Sequence, residues 1–270
     1  MPELPEVETT VRGLRPVLEG RRLVRAEARR EDLRRPFPAD LRQRLTGAKV
    51  VEVGRRAKYG LVHTDRDDVL VFHLGMTGRW RIDPDEIGKH DHLVLEMDDG
   101  RVLALNDARR FGSLDLLRAD EVEEWPPFAA LGPEPLGPEL TARTLQVALA
   151  GRTASIKLLL LDQRIVAGLG NIYVCEALNV ARIAPQTAGG ALSLPRLKRL
   201  VAAIPQVLLA AIDAGGSTLR DYAQPGGELG YFSKQFRVYG REGEQCPCGG
   251  TVERYAAGGR STWWCPRCQR

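Results

Sequence analysis

The first six residues, Met1-Pro2-Glu3-Leu4-Pro5-Glu6, hold an uncommon set of reactive groups. Methionine before a small residue such as proline is commonly removed, which leaves Pro2 with a free secondary amine. An α-amino group has a reference pKa of about 7.7–8.0, so part of it is unprotonated near neutral pH. Such an amine can attack the C1′ of a sugar. Because it is secondary, the adduct becomes a cationic iminium, an electron sink that acidifies the neighbouring C2′ proton. Glu3 stands next in the chain to supply or shuttle protons, and Glu6 to fix the amine or the incoming base.

The second constellation is Cys246-x-Cys248, then sixteen residues, then Cys265-x2-Cys268. Four thiolates on two knuckles of a β-hairpin surround one Zn²⁺ tetrahedrally, and the metal substitutes for a core too small to fold alone. Four thiolate ligands leave no open coordination position, so this zinc is structural and points to nucleic-acid or protein contact. The first knuckle is one residue short of the usual two-residue spacer, so its turn must differ. The fifth cysteine, Cys175, sits in the helical stretch NIYVCEALNVA and reads as core. Clustering of four cysteines in the last 25 residues argues against a disulfide framework.

The elements that carry these groups change along the chain. Apolar Val7, Val11 and Leu14 recur at helical spacing behind Pro5, with Glu6 and Glu8 at the positive end. Five short strands follow: KVVEVG (49–54), GLVHT (60–64), VLVFHL (69–74), HLVLEM (92–97) and RVLALND (101–107). Several are apolar on both faces, which predicts two packed sheets. Residues 121–140 hold five Glu, five Pro and no Lys or Arg, and read as an extended linker. Beyond it the period becomes helical (TLQVALA, SIKLLLLD, NIYVCEALNVA, LPRLKRLVAAIPQVLLAAIDA), with the glycine turn RIVAGLGN feeding a helix start at Asn171. Its first-turn N–H groups and side chain suit an anion. The fold class is therefore α+β in two domains: a β-rich front behind an N-terminal helix, and a helical back with a cysteine module. The boundaries fall at 1–125, 126–140 (linker), 141–233 and 234–270.

Composition excludes several classes. A chain of 270 residues with 43% hydrophobic and 27% charged residues buries a real core and is not a disordered tail. No apolar run reaches the roughly 18–20 residues of a membrane span, and MPELPEVETT is unlike a signal peptide. A soluble cytoplasmic protein is expected. Net charge is +4, but outside the acidic linker it is +9, and residues 234–270 carry seven basic against three acidic residues. Arginine dominates, which suits phosphate recognition.

MPELPEVET, RRAKYG, HLGMTGR, KHDH, DARRFG, LGPEPL, LLLDQRIVAGLGNIYVCEAL, GGSTLRDY, GYFSKQFRVYGREGE and GRSTWWCPRCQR occur in this order from end to end. Together they resemble bacterial formamidopyrimidine-DNA glycosylase, of the formamidopyrimidine-DNA glycosylase/endonuclease VIII family. The resemblance implies an N-terminal β-sandwich joined to a helix–two-turn–helix domain with a zinc finger. It implies a monomeric, bifunctional base-excision-repair enzyme acting on damaged double-stranded DNA, cytoplasmic and nucleoid-associated. Such an enzyme excises 8-oxoguanine and formamidopyrimidines and nicks the abasic strand by β,δ-elimination. By the same resemblance Pro2 is the Schiff-base nucleophile, Glu3 the proton donor, Lys58 a phosphate contact or proton donor, and Arg260 a phosphate or δ-elimination residue. His73, His90, Arg152 and Asn171 fall at DNA contacts. Met76, Arg109 and Phe111 form the trio that fills the space of an extruded nucleotide. Residues 217–235 form a lid over the flipped base. Read without the resemblance, Met76 and Phe111 are expected in the core.

Two other readings stay open in the sequence. One is an endonuclease VIII-like glycosylase for oxidised pyrimidines, against which Leu4 and the GSTLRDY…GYF segment speak. The other is a non-catalytic damaged-DNA-binding protein, against which Pro2, Glu3, Lys58 and Arg260 speak. A zinc-ribbon transcription or ribosomal protein leaves the front half unexplained.

Overall fold

A computed structural model describes residues 2–218 and 222–270. The chain forms two compact units, Met1–Ala129 with Ala214–Tyr231, and Ala130–Asp213 with Phe232–Arg270.

In the first unit, helix α1 (Leu4–Leu18) precedes two four-stranded antiparallel sheets. One has the order β1 (Leu23–Ala28), β6 (Asp91–Met97), β7 (Val102–Asn106), β5 (Arg79–Ile82). The other runs β2 (Val50–Arg56), β3 (Tyr59–Thr64), β4 (Asp68–His73), β8 (Ser113–Arg118). A short helix α2 (Leu41–Leu45) lies between β1 and β2 in the chain. Strands β4 and β6 are buried along nearly their whole length, which explains their unbroken apolar runs. One core joins both sheets to α1 through Val7, Val11, Leu14, Leu70, Phe72, Trp80, Leu93 and Leu105, among others. Gly60 pairs with Phe72 across β3 and β4, and a Cβ there would collide with the Phe72 ring, so this strand position accepts only glycine.

The sequence reading omits β1, β5 and β8. The stretch 121–140 also departs from its extended form. Pro126 and Pro127 open a helical turn, α3 (Pro126–Ala129), where a missing N–H costs nothing. Trp125 and Phe128 dock edge-on against Tyr59, with centroids 5.7 and 5.2 Å away, and this contact holds the turn.

The second unit contains α4 (Ala142–Leu149), α5 (Ile156–Leu161), α6 (Asn171–Val180) and α7 (Leu194–Asp213), then the hairpin β9 (Glu253–Ala257) and β10 (Arg260–Trp264). Thr141 caps α4 and Ser155 caps α5, each accepting a backbone N–H of the first turn. Gly258 and Gly259, at φ +56° and +70°, form the two-residue turn that a right-twisted hairpin requires. That turn places Arg260 at the first position of β10.

Candidate functional site

The first unit gathers the N-terminal turn. Pro2 and Glu3 are buried, with Glu3 at the N-cap of α1. Glu6 is 2% exposed, and its carboxylate accepts the Glu3 N–H at 2.9 Å and the Ser217 N–H at 2.8 Å. Both Glu6 oxygens are thereby engaged with backbone, which makes it a clasp between the N-terminal turn and the segment after Gly216. Two residues on, Glu8 pairs with Arg55 at 3.0 Å and with Arg12 at 2.9 Å. Despite burial, these guanidiniums hold the Glu8 carboxyl below its usual pKa. Arg55 also donates to the Ala57 carbonyl at 2.8 Å, so α1 steadies the tight β2–β3 turn carrying Lys58. Ala57 there adopts φ +51°, and Lys58 is only 7% exposed.

His73 ends β4. Its Nδ1 accepts the Gly75 N–H at 3.0 Å, which leaves the proton of the neutral ring on Nε2, ready to donate. Burial, then the charges of Lys58, Arg34 and Arg35, lower its pKa to about 4. The proton is lost well below neutrality, so His73 donates as a neutral imidazole. Its ring signals in an NMR titration are expected to stay flat from pH 8 to 5. A midpoint near 6.5 would contradict this environment. Between the folded value near 4 and the unfolded value near 6.5 the unfolded chain binds the extra proton, so this group weakens folding as pH falls through that window.

A cavity of about 340 Å³ opens beside His73, lined by Arg34, Arg35, Tyr59, Phe111 and Ser113. Neither arginine carries a signal in the sequence, since both sit in the irregular stretch before Pro36. Met76 and Phe111, expected in the core when read without a family, are 37% and 44% exposed. Arg109 stacks on the Phe111 ring at 4.7 Å. The two loops that carry this trio meet at Asp107, which is 1% exposed. Its carboxylate accepts the Thr77 hydroxyl at 2.6 Å and the Gly112 N–H at 2.8 Å, and Thr77 in turn accepts the Arg109 N–H at 3.1 Å. Gly75, at φ +59°, allows the close approach, since a Cβ would strike the Phe111–Gly112 backbone. His90 is half-buried, its ring 6.4 Å from that of His92.

Of the expected lid, Leu219, Arg220 and Asp221 lie outside the described residues, as does Met1. The remainder of 222–231 is tied down within the first unit. Tyr222 hydrogen-bonds Thr9, Thr218 bonds the Tyr222 carbonyl at 2.9 Å, and the Pro225 carbonyl accepts the Ile82 N–H at 3.1 Å. Phe232–Gln235, the end of that stretch, forms a 3₁₀ turn in the second unit, with Phe232 packed on Tyr173 and Phe236.

The second unit brings Asn171 and Arg260 together. Asn171 opens α6 and donates to the Ser261 carbonyl at 2.9 Å, while its Oδ1 is buried without a partner. The exposed Arg260 is the neighbour of that serine. Beneath them Lys157, fully buried on α5, points its ammonium at the Ala257 carbonyl at 3.5 Å. Burial, with the Arg260 charge in support, pulls its pKa down. In sequence Lys157 was only one polar residue in an apolar helix. Arg152 is exposed between α4 and α5, its Nε donating to the Ala148 carbonyl at 2.9 Å.

The four cysteine sulfurs lie within 4.8 Å of one another, with Cys246–Cys268 at 3.9 Å and Cys248–Cys265 at 3.5 Å. A tetrahedron with Zn–S bonds of about 2.3 Å has edges of about 3.8 Å, so the set fits one zinc despite the short first knuckle. Cys175 packs with Val238 and Val252 in the small core beneath, as expected.

Residues 1–114 match the formamidopyrimidine-DNA glycosylase N-terminal domain, 131–223 its H2TH domain, and 243–270 the zinc finger found in FPG and IleRS. The chain belongs to the formamidopyrimidine-DNA glycosylase family. Formamidopyrimidine-DNA glycosylase of Rhizorhabdus wittichii is 70% identical over 270 residues, covering both chains in full. Two solved structures of the Lactococcus lactis glycosylase align over the whole of both chains. Its G226P mutant with a Fapy-dG containing DNA has a TM-score of 0.91 at 35% identity, and its complex with an abasic site containing DNA has 0.92 at 34%. As in the family's zinc finger, Cys246, Cys248, Cys265 and Cys268 hold one structural Zn²⁺.

Proposed function

We propose that this DNA glycosylase of base excision repair is bifunctional, removing 8-oxoguanine and formamidopyrimidines through a Pro2 Schiff base and then cutting the abasic strand. The observation that carries the reading is the buried N-terminal turn. Pro2 and Glu3 are fixed at the start of α1, and Glu6 clasps the backbone that leads into the loop.

The Pro2 nitrogen attacks C1′ as the C1′–base bond breaks, and Glu3 delivers a proton that opens the sugar ring. The resulting iminium draws electrons from C2′, whose proton leaves to a base as the 3′ phosphate departs. Loss of the C4′ proton then expels the 5′ phosphate, and water releases Pro2. By the family resemblance, Lys58 and His73 of the first unit and Asn171 and Arg260 of the second bond DNA phosphates, and His90 and Arg152 are further DNA contacts. Met76, Arg109 and Phe111 fill the vacated stack, Arg109 bonding the orphaned base. Glu6 positions and does not transfer protons. The enzyme acts as a monomer on duplex DNA. Among the described residues no helix is long and apolar enough to cross a membrane.

Sodium borohydride reduces an iminium to a stable amine. Incubation with duplexes carrying 8-oxoguanine is expected to give a covalent protein–DNA adduct, with the linkage mapped to Pro2. Thymine glycol duplexes are expected to trap far less. Preferential trapping on thymine glycol would turn the reading to the pyrimidine-directed branch, and no adduct on either would leave a binding protein.

A further inference from the structure

A Zn²⁺ with four thiolates carries a net charge of −2, and N–H donors to the sulfurs disperse it. The second knuckle is full length, and the backbone N–H groups of Arg267 and Cys268 face Cys265. In the shortened first knuckle the Gly250 N–H reaches Cys248 at 3.4 Å. The other two sulfurs, Cys246 and Cys268, sit 3.9 Å apart, and one side-chain amide lies astride them. It belongs to Asn179, near the end of α6, with its Nδ2 3.7 Å from Cys246 Sγ and 3.8 Å from Cys268 Sγ.

The orientation of this amide is fixed by its other partners. Asn179 Oδ1 accepts from Arg237 Nε at 2.9 Å, which turns the NH₂ end toward the sulfurs. Nδ2 also donates to Gln269 Oε1 at 3.1 Å. Gln269 is itself locked, accepting the Cys265 N–H at 2.8 Å and donating to the Ile183 carbonyl at 2.9 Å. Both residues are 2% exposed, so water does not compete for these bonds. Three residues earlier in α6, the Glu176 carboxylate accepts the N–H groups of Arg237, Val238 and Tyr239 at 2.9, 3.0 and 2.9 Å. The helix that begins at Asn171 therefore holds the metal module at two places.

We infer that Asn179 is a positioning residue for the zinc site: one N–H of its amide is held by Gln269 and the other is shared between Cys246 and Cys268, so that a helix supplies the N–H···S bonding that steadies the cluster around the shortened knuckle. Metal retention then depends on α6, and the grip of α6 on the hairpin depends on metal.

The test uses the zinc-loaded full chain and follows transfer of zinc to an excess of a coloured chelator. Asn179→Ala is expected to release zinc about 10- to 100-fold faster, the range typical for removing such outer partners. Asn179→Asp, nearly the same shape but presenting a carboxylate to thiolates, is expected to release it faster still. Packing damage alone would speed release too, so the cobalt-substituted forms are compared. Loss of N–H···S bonds shifts the sulfur-to-cobalt charge-transfer band to lower energy. Unchanged release, or faster release with an unshifted band, overturns the assignment. Should the variants not fold, wild-type protein loaded with cadmium-113 decides: a scalar coupling between the Asn179 amide protons and cadmium is expected, and its absence refutes the bond.

Discussion

Replacing Pro2 by glycine is expected to slow base removal roughly 10²–10⁴-fold, the range for loss of one positioned catalytic group, or about 2.7–5.5 kcal/mol of barrier. Glycine keeps an amine, but a primary one, whose adduct can shed its proton and become a neutral imine. The electron sink then exists only in the protonated fraction. Glycine also frees the amine to rotate about the N–Cα bond, an orientation that the pyrrolidine ring of proline holds fixed. Duplex binding is expected to persist, because the phosphate-gripping residues lie elsewhere in the chain. Single-turnover excision and fluorescence anisotropy on one preparation separate the two effects. A second form makes the point without mutation: protein retaining Met1 has an amide at this nitrogen, with no lone pair to attack. Intact mass sorts the preparations, and full-rate excision by the Met1 form would remove Pro2 from the chemistry.

Stripping the zinc is expected to weaken duplex binding about 10- to 100-fold. The mechanism is loss of the hairpin that presents Arg260, whose proposed charge-assisted bonds to phosphate are worth about 1.5–3 kcal/mol. The module has little core of its own, with Cys246, Cys265, Val238, Val252 and Cys175 at its centre. Structural zinc in comparable modules contributes on the order of 10–16 kcal/mol, far more than such a core. Helices α4 to α7 have separate buried contacts through Leu145, Leu160, Leu178, Leu200 and Ile204, and their far-ultraviolet signal is expected to remain. Cys265→Ser reproduces the loss without chelator. Unaltered affinity in metal-free protein would place the phosphate grip away from the hairpin.

Much of this was legible from residue order because the chemistry is local in the chain. The metal ligands sit in two short knuckles, Pro2 to Glu6 are consecutive, and Asn171 follows its glycine turn. What escaped detection acts across distance. Asp107 joins Thr77 to Gly112, Lys157 reaches Ala257, and Asn179 reaches Cys246 and Cys268. The meaning of each depends on which strand, loop or helix the fold lays beside it. Glu6 is a further case, since the sequence suggests a residue that fixes the amine or the incoming base, and only the fold brings the Ser217 N–H beside that of Glu3 on its two oxygens. The omitted strands have a similar cause. β1 interleaves charged Arg25 and Glu27 with apolar residues, β5 has four residues with arginine at two of them, and β8 includes Asp115, which Arg35 neutralises at 2.6 Å.

The Asp107 junction bears on how such a protein surveys undamaged DNA. Because one carboxylate fastens both loops, Met76 and the Arg109–Phe111 stack are coupled as a single rigid fork. On the role proposed above, in which this trio enters the base stack, each base step met during sliding is probed once, by one body, and a tightly stacked pair rejects all three side chains together. A weakened pair admits them together, so the threshold between passing over a site and pausing at it is sharper than three independently moving probes would give.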